Sequence, residues 1–185
     1  MNSKLIDFDE LELKYKILID KAKSLMNSIN DPEHNIHHMN DVVNYTKEIL
    51  TNLNEDVSID ACLISAYWHD VGRTKIDEGH EELSVNMLKK EMTKLNYDNS
   101  LIEKCYNAIL YHKWNMHPVT IEGLVIKDAD KLGFIGKERW EECIKTGKRL
   151  DSIIELLPKI RDEILYFDVS KEIYDRDIVN FKKYL

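Results

Sequence analysis

Residues 61–75 read ACLISAYWHDVGRTK. From Ala61 to Trp68 the run is apolar apart from Ser65, so no face of it is marked as polar. A helix of this kind belongs at the centre of a fold, because a peripheral helix carries a polar side. Ser58 stands where an N-cap is wanted and Gly72 where a chain leaves a helix, which sets a helix from Ser58 through about Val71. The run ends in two ionisable neighbours, His69 and Asp70, with Arg73 and Lys75 close behind. Either neighbour buried without a partner would be costly. Something at the end of this helix must therefore compensate them.

Outward from this segment the pattern is helical throughout. Upstream, Leu11, Tyr15, Leu18, Ala22, Leu25 and Ile29 form one stripe of a helix from about Asp9 to Ser28. Asn30-Asp31-Pro32 breaks it. A second helix, about Ile36 to Leu53, has Met39, Val43, Thr46, Leu50 and Leu53 as its seam. Downstream, helices are expected over about Glu78–Asn96, Asn99–Lys113, Thr120–Leu132, Lys137–Lys148, Ser152–Leu165 and Ser170–Tyr184. Glycine and proline are scarce, with 6 and 3 residues, which disfavours a turn-rich β fold. The reading is an all-α, single-domain helical bundle over residues 1–185, with the His69–Asp70 helix at its core.

The totals narrow the function. A net charge of −8 argues against a general nucleic-acid binder, though not against a small anionic substrate in a local basic pocket. The three cysteines, Cys62, Cys105 and Cys143, are odd in number and far apart, as expected of reduced core thiols in a cytoplasmic protein. No stretch approaches the roughly 20 apolar residues of a membrane span, and the N-terminus lacks a secretory apolar region. The C-terminal segment is amphipathic, with Ile173, Ile178, Val179 and Phe181 available for packing or for a homodimer contact.

Spacing then sorts the ionisable groups. Residues at i, i+4 and i+7 share a helix face. From His38 the face continues through Val42, Tyr45 and Ile49, whereas from His37 it runs through Asp41, Asn44 and Glu48. His38 is expected to face inward and His37 water. By the same test Asp128 shares a stripe with Leu124, Ile121 and Leu132, whereas Asp130 shares one with Lys127 and Gly123 and is expected at the periphery. His112 follows Leu101, Cys105 and Ala108. Five inward groups result: His38, His69, Asp70, His112 and Asp128. Two histidines and two aspartates around one cation would satisfy each other's burial, since the ion supplies the missing charge.

Four stretches carry a resemblance: HNIHHMNDVV, with His34 and His38; AYWHDVGRTK; GHEELSVNML, with His80; and VIKDADKLGFIG, with Asp128. Over about residues 30–136 the chain resembles the HD-domain superfamily of metal-dependent phosphohydrolases, an all-α fold with a spaced His…His-Asp…Asp metal set. The resemblance implies His38, His69, Asp70 and Asp128 as metal ligands. Relatives often continue the last stretch as Asp-Ala-Asp-Arg-Leu-Asp. Gly133 stands at the final position here, so no role for that carboxylate carries over. Branches with two metals add two histidines between the HD pair and the last aspartate, and His80 and His112 occupy roughly those places. One ion is expected. Two is the alternative, and without a second ion these histidines would touch the substrate phosphate or the nucleophilic water.

A mixed nitrogen and carboxylate shell suits Mn, Fe, Co, Ni or Zn better than Mg. The expected chemistry is hydrolysis of a nucleotide or other small phosphate ester or anhydride, by a water acidified at the metal. Phosphoryl transfer depends on charge stabilisation. Arg73 and Lys75 are therefore candidates beside Asp70 for the catalytic set, with Lys131 and His34 on weaker grounds. Two alternatives remain: an HD-fold di-iron oxygenase needing all six ligands, and a non-catalytic sensor domain in which the metal is a staple.

Overall fold

The computed structural model describes residues 5–148 and 151–182. It is all-α, with no strand among the described residues. The helices are α1 (Phe8–Lys14), α2 (Lys16–Met26), α3 (Ile36–Asn52), α4 (Ile59–Trp68) and α5 (His80–Lys94). They continue with α6 (Asn99–Leu110), α7 (Ile121–Leu132), α8 (Lys137–Thr146), α9 (Asp151–Lys159) and α10 (Asp168–Phe181). Tyr184, the expected end of the last helix, lies outside the described residues.

α4 is the hub, as its composition demanded. All eight residues from Ala61 to Trp68 are buried, and the helix packs against α2, α3, α6 and α7. Ser58 caps it, its Oγ accepting the Ala61 N–H at 3.4 Å. The buried Trp68 indole donates to the Leu18 carbonyl at 3.2 Å, tying α4 to α2. Burying a side chain such as Leu63 or Ile64 contributes about 1.5–3 kcal/mol each. Packing rather than intrinsic propensity therefore holds this short helix.

Three boundaries differ from the sequence reading, each for a local reason. The first expected helix is two, because the backbone leaves helical geometry at Tyr15, whose hydroxyl bonds Asp60. α4 stops at Trp68, and the chain tightens into a 3-10 turn over Val71–Thr74. Gly72 is thus not a helix C-cap. It lies inside the tight turn, and a Cβ there would come within 2.1 Å of the His80 carbonyl oxygen. Its N–H donates to Ser84 Oγ at 2.7 Å. The glycine lets α5 press against the turn that follows the His-Asp pair. α6 ends at Leu110, two residues before His112.

Asp41 of α3 holds the start of α8. Its buried carboxylate accepts the Arg139 N–H at 2.8 Å and the Glu138 N–H at 3.3 Å. The N-cap of α8 is Gly136, and a side chain there would run into the Asp41 carboxylate. Burial pushes the Asp41 carboxyl up from 3.8 to about 7, with the two backbone donors pulling the other way. The folded pKa is raised, so the stability this group contributes is fully present below its unfolded value and is lost as pH rises through about 7. Asp41→Asn is expected to flatten that loss, by up to about 1.4 kcal/mol per pH unit inside the window. Urea melts of both proteins from pH 4 to 8 check this, and parallel pH slopes would rule it out.

The apolar residues of the C-terminal helix are largely consumed internally. Ile173 and Phe181 are buried, and the Phe181 ring packs edge-on to Trp140 with centroids 3.9 Å apart. Val179 is exposed. No described helix is long and apolar enough to cross a membrane. Cys62, Cys105 and Cys143 are buried free thiols.

Candidate metal centre

Five elements deliver side chains to one point beside the C-terminus of α4. His38 comes from the first turn of α3, where Asn35 caps the helix by accepting the His37 N–H. His69 and Asp70 leave α4 directly. His80 opens α5 after Gly79, which takes the left-handed conformation with φ 77°. His112 follows α6, and Asp130 lies in the last turns of α7. His38, His69, Asp70, His80, His112 and Asp130 are all buried.

Their atoms form two groups that share Asp70. In the first, His38 Nε2 lies 3.4 Å from His69 Nε2, 3.2 Å from Asp130 Oδ1 and 3.8 Å from Asp70 Oδ2. His69 Nε2 is 3.6 Å from Asp70 Oδ2 and 4.0 Å from Asp130 Oδ1. In the second, Asp70 Oδ1 faces His80 Nε2 at 3.0 Å and His112 Nε2 at 3.6 Å. Most of these separations exceed hydrogen-bond length, about 2.7–3.2 Å. Asp70 Oδ1 and His80 Nε2 are buried without a hydrogen-bond partner despite their closeness. Orphaned buried atoms are costly. A cation between them would remove the cost, so the residues present fit a metal.

The tautomers agree with that use. His69, His80 and His112 each place Nδ1 on the carbonyl three residues earlier, Ala66 at 2.9 Å, Asp77 at 2.6 Å and Ile109 at 2.6 Å. A carbonyl only accepts, so Nδ1 carries the proton and Nε2 presents a lone pair to the cluster. Burial pushes the His38 pKa down to about 3, with Asp130 opposing. It lowers His69 as well, with Asp70 opposing. Burial alone would raise the two carboxyls. Their neighbours hold both well below the usual range, His69 first and then His112 and His80 for Asp70, and Lys131 and then His38 for Asp130. Lowered pKa values at His38 and His69, and at Asp70 and Asp130, favour neutral imidazole beside carboxylate, the protonation state that metal binding requires.

The structure does not bring Asp128 to this point, which corrects the expected ligand set. Its carboxylate turns to the C-terminal segment, accepting the Tyr166 N–H at 2.9 Å and the Phe167 N–H at 3.0 Å. It thereby holds the chain entering α10. Burial raises the Asp128 carboxyl to about 6, against those backbone donors. Asp130 takes the place beside His38. α7 is buried from Glu122 to Leu132 except at Leu124, so an apolar stripe does not mark its inward side. Ile121 and Leu124, which appeared to mark it, are the less buried positions. Gly133 packs on His38, where a Cβ would come within 2.9 Å of the imidazole Cε1. A carboxylate at that position would displace the ring.

A cavity of about 180 Å³ opens beside the cluster, lined among others by His34, Arg73, Trp114, Lys131, Phe134 and Arg139. Arg73 Nε stands 3.1 Å from Asp70 Oδ1. Lys131 pairs with Asp130, and His34 Nδ1 bonds Asp31 at 2.6 Å. Lys75 is exposed and does not line the cavity, so its place in the catalytic set is withdrawn: the 3-10 turn after Asp70 carries Arg73 inward and Lys75 away. Arg139, Trp114 and Phe134 escaped the sequence reading. Arg139 carried a usable signal, because it shares a helix face with the buried Cys143 four residues on. Trp114 sits on a loop, where no periodicity operates. A larger groove of about 690 Å³, lined by Glu48, Tyr166, Glu172 and Arg176 among others, holds none of the convergent histidine–carboxylate groups found among the described residues. Size alone therefore does not locate the chemistry.

Residues 35–134 match the family model of the HD domain, more than half of the chain, and the chain belongs to the HD-domain family. That membership places it in a superfamily of metal-dependent hydrolases. The crystal structure of a predicted HD superfamily hydrolase from an uncultured Thermotogales bacterium is similar, with a TM-score of 0.70 over 97% of this chain and 95% of that one. At 17% identity, that likeness speaks for the fold. No curated protein matches the chain significantly.

Proposed function

We propose that the protein is a metal-dependent phosphohydrolase acting on a nucleotide or another small phosphate ester or anhydride. The observation that carries this reading is Asp70, whose two oxygens face separate buried histidine sets. Oδ1 completes a convergent set with His80 and His112, and Oδ2 lies 3.8 and 3.6 Å from His38 and His69 of the set that Asp130 completes. A divalent transition metal held there supplies Lewis acidity and a water acidified towards neutrality. Histidine nitrogen in the shell favours Mn, Fe, Co, Ni or Zn over Mg.

The chain's own residues do the rest. His69, His80 and His112 turn Nε2 inward because their Nδ1 protons are engaged by backbone carbonyls. Arg73 and Lys131 place positive charge on either side of the cluster, where phosphoryl oxygens accumulate negative charge. In the overall reaction a water oxygen forms the new bond to phosphorus, the ester or anhydride P–O bond breaks, and the departing oxygen takes up a proton. His34 at the cavity wall is a candidate to hold a phosphoryl oxygen or a proton there.

The same six-residue set fits a di-iron oxygenase, but the cationic cavity wall favours phosphate. A screen of metals against nucleotides and generic phosphoesters tests the reading. Turnover that disappears with chelator and returns with a transition metal is expected. Oxygen consumption without phosphate release would favour the oxygenase. A metal-dependent melting temperature without any turnover would favour a staple.

A further inference from the structure

Arg139 is buried, at 3% exposure, and its Nε and Nη1 have no hydrogen-bond partner. The carboxylates around it are already engaged. Asp130 faces Lys131 and His38, and Glu33 pairs with Lys148 at 3.1 Å. Among the other described cations lining the cavity, Lys113 pairs with Glu81 and Lys131 with Asp130, and Arg73, whose Nε also lacks a hydrogen bond, has the Asp70 carboxylate at 3.1 Å. An arginine held only for packing would be matched or replaced, because an uncompensated buried charge is expensive. This one lines the cavity with donors to spare.

Its placement is built. The Asp41 carboxylate accepts the Arg139 backbone N–H, and Asp41 lies one turn from His38 on α3. The guanidinium carbon stands 4.8 Å from the centre of the Phe134 ring, and Lys131 Nζ stands 5.6 Å from the same ring. The histidine rings run in the order His34, His38, His69, His112, His80, with successive centroids 6.0, 5.3, 5.3 and 5.6 Å apart. Arg73 sits at the end of that row where Asp70 Oδ1 meets His80 and His112. Lys131 pairs with Asp130 at the other, where Arg139 shares the Phe134 ring with it. The cavity thus has two cationic poles with the metal-ligating atoms between them.

We propose that Arg139, with Lys131 lining the same cavity, forms a second anion subsite that takes a phosphoryl group linked to the one lying over the His-Asp cluster. The substrate class is then a phosphoanhydride, with two adjacent phosphoryl groups, rather than a simple monoester. A cavity of about 180 Å³ suits this. It is smaller than the roughly 300–1,000 Å³ of pockets that enclose whole drug-sized ligands, which matches a small anionic head group better than an entire nucleotide. Arg139 presents a planar fork to phosphate, which a lysine cannot copy.

The proposal rests on the hydrolase reading for which group reacts, but not for what binds. Its test is therefore binding. Titration calorimetry of metal-loaded protein, with free metal matched in both solutions, compares methylenediphosphonate with methylphosphonate. Wild type is expected to bind the diphosphonate at least tenfold more tightly. Arg139→Gln is expected to lose that preference while keeping its metal content and the methylphosphonate affinity, and Arg139→Lys to recover part of it. No preference in wild type, or a preference that survives in Arg139→Gln, overturns the proposal. A purely structural Arg139 would lower the melting temperature of both variants and leave the preference intact. Arg139-dependent diphosphonate binding without turnover on any phosphate compound would sink the hydrolase reading and leave this subsite standing. Turnover with an Arg139-independent preference would do the reverse.

Discussion

Asp70→Ala is expected to abolish metal binding at both halves of the centre and activity with it. The reason is geometric. Asp70 Oδ2 lies with His38 and His69, at 3.8 and 3.6 Å, and Oδ1 with His80 and His112, at 3.0 and 3.6 Å. No other carboxylate among the described residues converges with His80 and His112 as a ligand set, Glu81 approaching His80 only at Nδ1, so removing Asp70 leaves the two imidazoles with no carboxylate on their inward side. The first group keeps His38, His69 and Asp130 but loses one of its two negative charges. Removing a single preorganised electrostatic group typically costs about 10²–10³ in kcat, and a shared ligand is expected to exceed that. Metal analysis of the purified variant should find the content close to zero. The gain in melting temperature that bound metal gives the wild type should vanish. A variant that retained one tightly held ion would show that His38, His69 and Asp130 suffice alone, and would confine Asp70 to the second site. His112→Ala is the companion measurement, expected to lose the ion at Oδ1 and keep the other.

Much of this centre was legible in the sequence because helical periodicity reports on amphipathic helices. α3 has a dry side and a more open one, so the choice of His38 over His37 could be made by spacing, although Asp41 on the more open side is buried against the start of α8. α4 announced its central place by having no wet side. The same logic failed on α7 for the same physical reason. That helix is buried nearly all round, with charged Glu122, Lys127 and Lys131 inside, and a stripe test cannot rank faces that are all covered. What decides there is the polar partner each side chain finds. Lys127 donates to the carbonyls of Trp114 and Met116, Asp128 meets the backbone ahead of α10, and Asp130 meets His38. Those partners lie from 11 residues away, for Lys127 and Met116, to 39, for Asp128 and Phe167, and much further for Asp130 and His38 on α3, and a local window does not contain them. Spacing does not fix the direction of His80 for a similar reason. Its direction depends on Gly79 and on α5 closing over Gly72, a contact between backbones rather than a pattern of side chains.

The two aspartates of α7 offer the sharpest discrimination, because they sit two residues apart and face different neighbours. Asp130→Asn is expected to lose the ion held with His38 and His69, and to lose activity to the same degree. Its amide keeps the shape of the side chain but removes the charge that a divalent cation needs. Lys131 would then lack its carboxylate partner, so the anion subsite would be disturbed as well. Asp128→Ala is expected to do the opposite. It deletes the acceptor for the Tyr166 and Phe167 N–H groups, a loss comparable to that of a helix cap, about 1–2 kcal/mol. For a chain of this size that corresponds to roughly 2–8 °C in melting temperature. Metal content should be unchanged, because none of the ligating atoms moves directly. Metal analysis and thermal melts on the two variants side by side read both outcomes. If Asp128→Ala lost the metal while Asp130→Asn kept it, the apolar-stripe reading of α7 would be right and the placement of Asp130 beside His38 wrong. If both lost it, the hold of Asp128 on the chain ahead of α10 would be a support of the centre itself, since α7 could then not keep Asp130 in register with His38 once its far side was released.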